Sequence, residues 1–266
     1  MQLTVQLHKM KAIHGTPVQY FLRSVGEEIP LNNWVDLPLE IVFSGEIHCI
    51  HCGRQVKKTY GQGYCYPCFL SVPETSECVL RPELCQAHLG ISRDMEWSKD
   101  HCLQDHFVYL ALTSAVKIGV TRSSQIPERW IDQGAWKAIR LARTPNRYTA
   151  GLMEVALKNH LPDKTNWRHM LTDKKATEID LREIKTAALK WIPDDLVPFF
   201  YGDDTITTIE YPVSSYPSSV HQLNLPNTSV FKGILTGIRG QYLIFKDGTV
   251  FNVRAHQGYV VNLTVG

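Results

Sequence analysis

Seven cysteines, all between Cys49 and Cys102, constrain this chain of 266 residues more than any other feature. Cys49 and Cys52 form one Cys-x-x-Cys pair, and Cys65 and Cys68 form a second pair after twelve intervening residues. Two such pairs can surround one tetrahedral Zn²⁺ ion at about 2.3 Å from each sulfur. A redox pair is the weaker alternative, because redox motifs do not normally occur as two spaced pairs. We therefore predict a closed, structural zinc site formed by these four cysteines.

The three remaining cysteines predict a second zinc site. Cys78, Cys85 and Cys102 are followed by His106, and their spacing fits a closed Cys3His site. His88 is an alternative fourth ligand, and simple burial of three free cysteines is the alternative to metal binding. A zinc ion held there would fix the strand that begins at His106 to the zinc-binding segment. The chain is thus expected to carry one or two structural zinc ions.

Composition places the chain among ordinary globular proteins and gives no sign of membrane association. It is 44% hydrophobic and 20% charged. No apolar run approaches the roughly 20 residues that cross a bilayer, and the N-terminus lacks the pattern of a secretory signal. These features, with the paired cysteines, predict a cytoplasmic protein without a membrane partner.

Positive charge is local, because the formal net charge of the whole chain is only +2. Between residues 117 and 147, seven Lys or Arg residues face two acidic residues. Such a surplus of positive charge predicts nucleic-acid binding. The alternative is that these charges are scattered over the surface of a small domain and are simply solvated. The candidate contacts, including one aromatic ring for stacking, are Arg122, Trp130, Lys137, Arg140, Arg143 and Arg147.

The same region has a regular succession of predicted elements. Residues 106–112 and 116–122 predict a β-hairpin, residues 136–143 a third strand and residues 148–161 a helix. Within that helix Glu154 falls inside the apolar stripe of Ala150, Met153, Leu157 and Leu161. A carboxylate that faces a core costs several kcal/mol unless a cation or metal meets it. We therefore expect Glu154 to have a positive partner.

These elements carry a resemblance to the GIY-YIG nuclease superfamily. The matching residues are Tyr109 on the first strand, Lys117-Ile118-Gly119 on the second, Arg129 on the first helix and Glu154 on the later helix. The resemblance implies that Tyr109 orients the attacking water, Arg129 stabilises phosphate charge and Glu154 holds Mg²⁺ or Mn²⁺. Lys117 stands where the motif has its second tyrosine. In this respect the chain resembles a variant subgroup with a Lys-Ile-Gly signature.

Over nearly its whole length the chain is also similar to an uncharacterised bacterial family of zinc-bearing proteins. That resemblance implies a fold and a metal content but no established activity. The blocks that carry it are 63–68, 81–85, 129–135, 163–168 and 240–245.

Together these features predict an α+β fold with a zinc-ribbon segment and a central GIY-YIG-like, three-stranded antiparallel sheet with helices. Strands predicted near residues 3–7, 18–22 and 39–43 are expected to form a small antiparallel unit with the C-terminal hairpins. The predicted boundaries are 1–48 for the N-terminal β segment, 49–105 for the zinc-binding segment, 106–195 for the α/β domain, 196–229 for a connector and 230–266 for the hairpins. A further helix is predicted over residues 174–191.

Three functions remain open from the sequence. The first is a divalent-metal-dependent nuclease that uses Tyr109, Lys117, Arg129 and Glu154. The second is a non-catalytic protein that binds nucleic acid, RNA included, through a degenerate nuclease fold. The third is a zinc-stabilised protein-interaction module in which the basic surplus has no role.

Overall fold

The structure is a computed structural model that describes residues 1–24, 27–161, 165–172 and 179–266. The start of the predicted block 163–168 and most of the first turns of the predicted helix 174–191 lie outside these ranges. The strands are β1 Gln2–Gln6, β2 Lys11–Ile13, β3 Gln19–Ser24, β4 Glu27–Pro30, β5 Pro38–Ile47, β6 His106–Leu112, β7 Val116–Arg122, β8 Lys137–Thr144, β9 Ile206–Thr208, β10 His221–Gln222, β11 Val230–Arg239, β12 Tyr242–Phe245, β13 Thr249–Asn252 and β14 Tyr259–Val265. The helices are α1 Tyr66–Ser71, α2 Met95–His101, α3 Glu128–Asp132, α4 Arg147–Lys158, α5 Trp167–Met170 and α6 Leu181–Ala188.

The fold is of the mixed α+β type, and strands from both ends of the chain lie in one sheet. β1 pairs with β14, which pairs with β5, which in turn pairs with β11. The sheet continues through β12 and β13 to β10 in the order β1-β14-β5-β11-β12-β13-β10. A separate small sheet of β2, β3 and β4 packs into the same apolar core. Neither terminal segment therefore has to bury its apolar side chains alone.

The central sheet has the order β7-β6-β8-β9, so the predicted three-stranded sheet gains a fourth strand. β9 comes from the segment that the sequence analysis assigned to a connector, and Thr208 pairs with Lys137 of β8. This pairing satisfies backbone groups of β8 that would otherwise be left at an open sheet edge. The pairing also carries the sheet past the predicted domain boundary at residue 195.

Both faces of the central sheet are covered, which explains why β6 is apolar throughout. Val108 and Leu110 face α4, whereas Tyr109 and Ala111 belong to the core shared with the terminal sheets. α4 begins at Asn146, whose side chain accepts a hydrogen bond from the Thr149 backbone at 2.9 Å. None of the helices in the ranges given above has the length and apolarity needed to cross a membrane.

A buried arginine joins the C-terminal sheet to the central domain. Arg239, at the end of β11, has 0% exposure, and its guanidinium lies 3.7 Å from the ring centroid of Trp136. It donates hydrogen bonds to the carbonyl of Gly134 at 2.7 and 3.0 Å and to that of Met170 at 2.5 Å. The turn after α3 and the end of α5 are therefore held against β11.

The segment between β5 and β6 has little regular structure of its own. Apart from α1 and α2 it consists of loops, two isolated β-bridges and four single 3-10 turns. Several of its large apolar side chains are exposed, among them Leu80 at 85% and Leu89 at 64%. Such a segment needs contacts to its neighbours, or bound metal, to hold one conformation.

One of those contacts depends on a glycine of α4. A Cβ atom added to Gly151 would lie 2.2 Å from the backbone nitrogen of Glu83 and 2.4 Å from the carbonyl carbon of Pro82. The helix and this 3-10 turn thus meet backbone to backbone. No side chain fits between them.

We predict that Gly151→Ala destabilises the protein by about 1–3 kcal/mol, the usual cost of overpacking a tight contact. The helix propensity of alanine opposes this loss by roughly 1 kcal/mol at most. Urea unfolding monitored by circular dichroism measures the change. Gly202→Ala is the matched control, because a Cβ there meets nothing within 4 Å. Equal stability of the two variants would contradict the backbone contact.

Candidate metal centres and the adjoining cavity

The first cysteine cluster has the geometry of a four-thiolate metal site. The Sγ atoms of Cys49, Cys52, Cys65 and Cys68 all lie within 4.8 Å of one another. The Sγ atoms of Cys52 and Cys65 are 3.7 Å apart. Tetrahedral zinc with bonds of about 2.3 Å separates its sulfur ligands by about 3.8 Å. These residues therefore fit a zinc ion and could hold one.

The protonation of this cluster also favours a cation. Burial opposes ionisation of Cys49, but backbone N–H groups of Cys52, Cys65 and His51 lower its pKa to about 6. The hydrogen bond with Cys65, and then burial, raise the pKa of Cys68. Four thiols at this spacing cannot all ionise without a positive charge between them, and a divalent metal supplies that charge.

The second cluster brings together three cysteines from separate turns. The Sγ atoms of Cys78, Cys85 and Cys102 lie within 4.8 Å of one another. Hydrogen bonds with the other two thiols lower the pKa of Cys102, and the hydrogen bond with Cys102 raises that of Cys78. Cys102 is thus the thiolate that the other two thiols solvate. These three residues could also hold zinc, with one position left for another ligand.

The three-thiol group includes neither predicted histidine, so the fourth ligand of the Cys3His set stays a prediction. His88 is exposed, and its ring stacks on Tyr148 at 4.4 Å. His106 is 2% exposed, and its Nδ1 lies 2.7 Å from the carbonyl of Gln104. Its Nε2 is buried and has no hydrogen-bond partner among the described residues. Burial lowers the pKa of His106 to about 4, so its imidazole is neutral at pH 7.

Arg147 ties the second cluster to the central domain. It is 8% exposed and donates hydrogen bonds to the carbonyl of Cys78 at 3.2 Å and to that of His101 at 2.9 Å. Its positive charge is one of the factors that lower the pKa of Cys102. This arginine, predicted as a nucleic-acid contact, therefore also has a structural role.

A cavity of about 490 Å³ lies between the zinc-binding segment, β7, α3 and the C-terminal sheet. Five cationic and three acidic side chains line it, a surplus of two positive charges. Aromatic rings from the zinc-binding segment complete one wall. The charged residues are Lys9, Arg122, Arg129, Arg147 and Arg254 with Glu74, Glu128 and Asp132, and the aromatic ones are Tyr64, Phe69 and Trp97.

Lys9 forms ion pairs with two of these acids. Its Nζ lies 2.7 Å from Glu128 and 2.6 Å from Asp132. Asp132 has a side chain that is only 3% exposed, and burial raises its pKa while Lys9 lowers it. The third acid, Glu74, is exposed. Lys9, Glu128 and Asp132 together carry one negative charge, so with Glu74 they reduce the charge of the four arginines to a surplus of two.

The arginines of the cavity lie close to other arginines. Burial and then the charge of Arg129 lower the pKa of Arg254. Burial and then the charge of Arg147 lower the pKa of Arg122. Arg254 Nε donates to the side-chain oxygen of Gln62 at 2.8 Å, a neutral partner. Guanidinium groups held together in this way favour an anion between them.

Three of the four predicted catalytic residues lie within electrostatic reach of one another. Tyr109 is fully buried, and its hydroxyl donates to the side chain of Gln133 at 2.9 Å. Burial raises the pKa of Tyr109, the charge and a hydrogen bond of Arg129 lower it, and the charge of Glu154 raises it. The Glu154 carboxylate lies 3.6 Å from Lys158 Nζ. Its expected positive partner thus includes a lysine one turn along the same helix.

The glycine of the Lys-Ile-Gly sequence has a clear packing role. Gly119 pairs with Tyr109 across β7 and β6, and an added Cβ would lie 2.5 Å from the tyrosine hydroxyl. Lys117, two residues earlier, is 7% exposed. The cavity wall contains Arg129 but not Tyr109, Lys117 or Glu154.

The other predicted nucleic-acid contacts are dispersed. Trp130 is 2% exposed and packs edge-on against Tyr109, so the structure corrects the prediction that it stacks on bases. Arg140 forms an ion pair with Asp203, and Arg143 donates to Asp105 at 2.8 Å. Lys137 is half-buried on β8. Only Arg122 and Arg147 of this set line the cavity.

Two cationic residues of the cavity escaped the sequence analysis. Lys9 follows β1, and Arg254 begins the short 3-10 turn after β13. Neither lies in a long run of basic residues, so the local sequence does not mark it as part of a site. Their proximity follows only from the pairing of the two chain ends.

We predict two zinc ions per chain, with His106 as the fourth ligand of the second site. Native mass spectrometry should find one zinc fewer in His106→Asn, because the buried Nε2 is then lost, and the four-cysteine site should stay filled. His88→Asn is the matched control and should keep both ions. Loss of zinc from the His88 variant instead would assign the fourth position to His88, and unchanged zinc in both would exclude either histidine.

Comparison with known proteins places the chain in a family. The family description "Protein of unknown function (DUF2797)" matches residues 37–261. Searches of the curated proteins and of the solved structures found no match. The expected membership of a family of unknown function is thus confirmed, whereas the resemblance to GIY-YIG nucleases is not supported by these comparisons. Because the match spans most of the chain, this protein belongs to the DUF2797 family.

Proposed function

We propose that this protein binds nucleic acid and contacts phosphate groups through the cationic cavity beside its cysteine clusters. The observation that carries the proposal is the convergence of five cationic side chains from distant parts of the sequence on one cavity of about 490 Å³. Phosphate contacts from arginine supply most of the affinity of proteins for nucleic acid, because they release counterions. The half-buried Arg129 and Arg122 are the side chains best suited to this role.

The structural zinc ions would serve this function indirectly. Gln62 lies between the two cysteine pairs, and its side chain accepts the hydrogen bond from Arg254. Its carbonyl accepts a second bond, at 2.7 Å, from Gln257. A metal held by the four cysteines would therefore keep one wall of the cavity in place.

We predict that Arg129→Gln weakens nucleic-acid binding about tenfold or more, since a charge-assisted contact to phosphate is lost. Fluorescence anisotropy with labelled RNA and DNA strands, repeated over a range of salt concentrations, measures the loss and the change in the salt slope. Arg143→Gln is the matched control, because this exposed arginine pairs with Asp105 away from the cavity. If both variants lose the same nucleic-acid affinity, the surface of β8 also contacts the phosphates and the cavity is not the specific site. Wild-type protein without salt-dependent binding would end the proposal and leave the protein-interaction module.

Phosphodiester cleavage is a second candidate, favoured by the electrostatic coupling of Tyr109, Arg129 and Glu154. In that function Glu154 would hold Mg²⁺ or Mn²⁺, Arg129 would stabilise charge on the phosphate and Lys117 would help to orient it. The complete burial of Tyr109 stands against direct contact of its hydroxyl with substrate water. Binding alone is for this reason our first choice.

We predict for this second function that Glu154→Gln abolishes Mn²⁺-dependent cleavage while binding persists. A gel assay with single-stranded, duplex and branched substrates measures cleavage. Lys158→Gln is the control, because it removes one ion-pair partner of Glu154 but keeps the carboxylate. If wild-type protein with zinc bound and Mn²⁺ added cleaves none of these substrates, the nuclease function is excluded.

A further inference from the structure

The volume and charge of the cavity suit a small anionic ligand better than the middle of a nucleic-acid strand. Its volume of about 490 Å³ is that of a site for a small molecule, which typically measures about 300–1,000 Å³. A single nucleotide fits such a space, whereas a continuous strand needs an open groove. The occupant is therefore expected to be one nucleotide or the end of a strand.

The charge of the wall matches a doubly charged anion. The lining carries a surplus of two positive charges when Lys9 and all three acids are counted. An internal phosphodiester carries one negative charge, whereas a phosphate monoester carries about −1.5 to −2 near pH 7. Arg129 and Arg254 lie close enough to interact, as do Arg122 and Arg147. These two arginine pairs offer the monoester more donors than a diester can use.

An aromatic wall accompanies the charge. Tyr64 and Phe69 are half-buried and face the same cavity as the arginines. Rings in this position can stack on a base of any identity, and such stacking tolerates different sequences. The combination of a dianion site with half-buried rings suits a nucleotide better than a free phosphate ion.

We propose that the cavity binds the terminal phosphate monoester of a nucleotide, either free or at the end of a nucleic-acid strand. This inference rests on the proposed phosphate-binding function and specifies its ligand. Arg254, Arg129 and Arg122 hold the phosphate, and Tyr64 with Phe69 contact the attached base. The protein thereby distinguishes a phosphorylated end from a hydroxyl end.

Isothermal titration calorimetry of the zinc-loaded full chain tests the proposal. Three ligands are compared: a dinucleotide with a 5′-terminal phosphate, the same dinucleotide with a 3′-terminal phosphate, and its unphosphorylated form. One phosphorylated form should bind at least about tenfold more tightly than the unphosphorylated form. Arg254→Gln should remove that preference, Arg254→Lys should retain part of it, and Arg23→Gln, an exposed arginine on β3, should leave it unchanged. Zinc content and circular dichroism check that each variant is folded. If Arg254→Gln does not fold, Arg122→Gln takes its place.

Competition titrations distinguish a free nucleotide from the phosphorylated end of a strand as the ligand. A nucleoside monophosphate that competes with the phosphorylated dinucleotide identifies a free nucleotide as a ligand, and competition only by longer phosphorylated strands identifies a strand end. Equal affinity for phosphorylated and unphosphorylated forms overturns the inference, although salt-dependent strand binding would still support the proposed function. Binding of monophosphates without any strand binding would support the inference and overturn the proposed function.

Discussion

The buried guanidinium of Arg239 is the constraint on which the arrangement of the domains depends. A charge taken from water costs several kcal/mol unless hydrogen bonds replace its hydration. Here main-chain carbonyls of Gly134 and Met170 accept those bonds, and the ring of Trp136 covers the guanidinium face. Since the acceptors are backbone atoms at the ends of α3 and α5, the C-terminal sheet can satisfy this arginine in one position only.

The position of the cavity follows from that contact. Two residues after Arg239, Gln241 donates hydrogen bonds to the carbonyl of Met10 at 3.1 Å and to the Asp132 carboxylate at 2.9 Å. Asp132 in turn holds Lys9. The first residues of the chain, helix α3 and the C-terminal sheet thus meet at one place, and each contributes a cation to the cavity: Lys9, Arg129 and Arg254. The cavity is a product of the assembly of the molecule, and no single segment forms it.

Metal binding and the cavity are connected through the zinc-binding segment. Around the second cysteine cluster that segment buries only a few apolar side chains, and Tyr148 of α4 completes this small cluster. Structural zinc supplies on the order of 10 kcal/mol of folding free energy in small domains, which is enough to replace a missing core. Because Gln62 lies between the two cysteine pairs and accepts the Arg254 hydrogen bond, a metal held by the four cysteines would also help to fix the position of that arginine.

The sequence by itself determined the features that depend on local spacing. The two Cys-x-x-Cys pairs predicted a four-thiol cluster, and apolar periodicity predicted the β6–β7 hairpin, β8 and α4 within a few residues. Only the tertiary structure decided the fourth strand of the central sheet and the burial of Trp130. It also decided that Lys9 and Arg254 share a cavity with Arg129. The physical reason is that ligand spacing and helix or strand period are encoded by neighbours in the chain, whereas these contacts join segments that are distant in the sequence, and no local pattern records them.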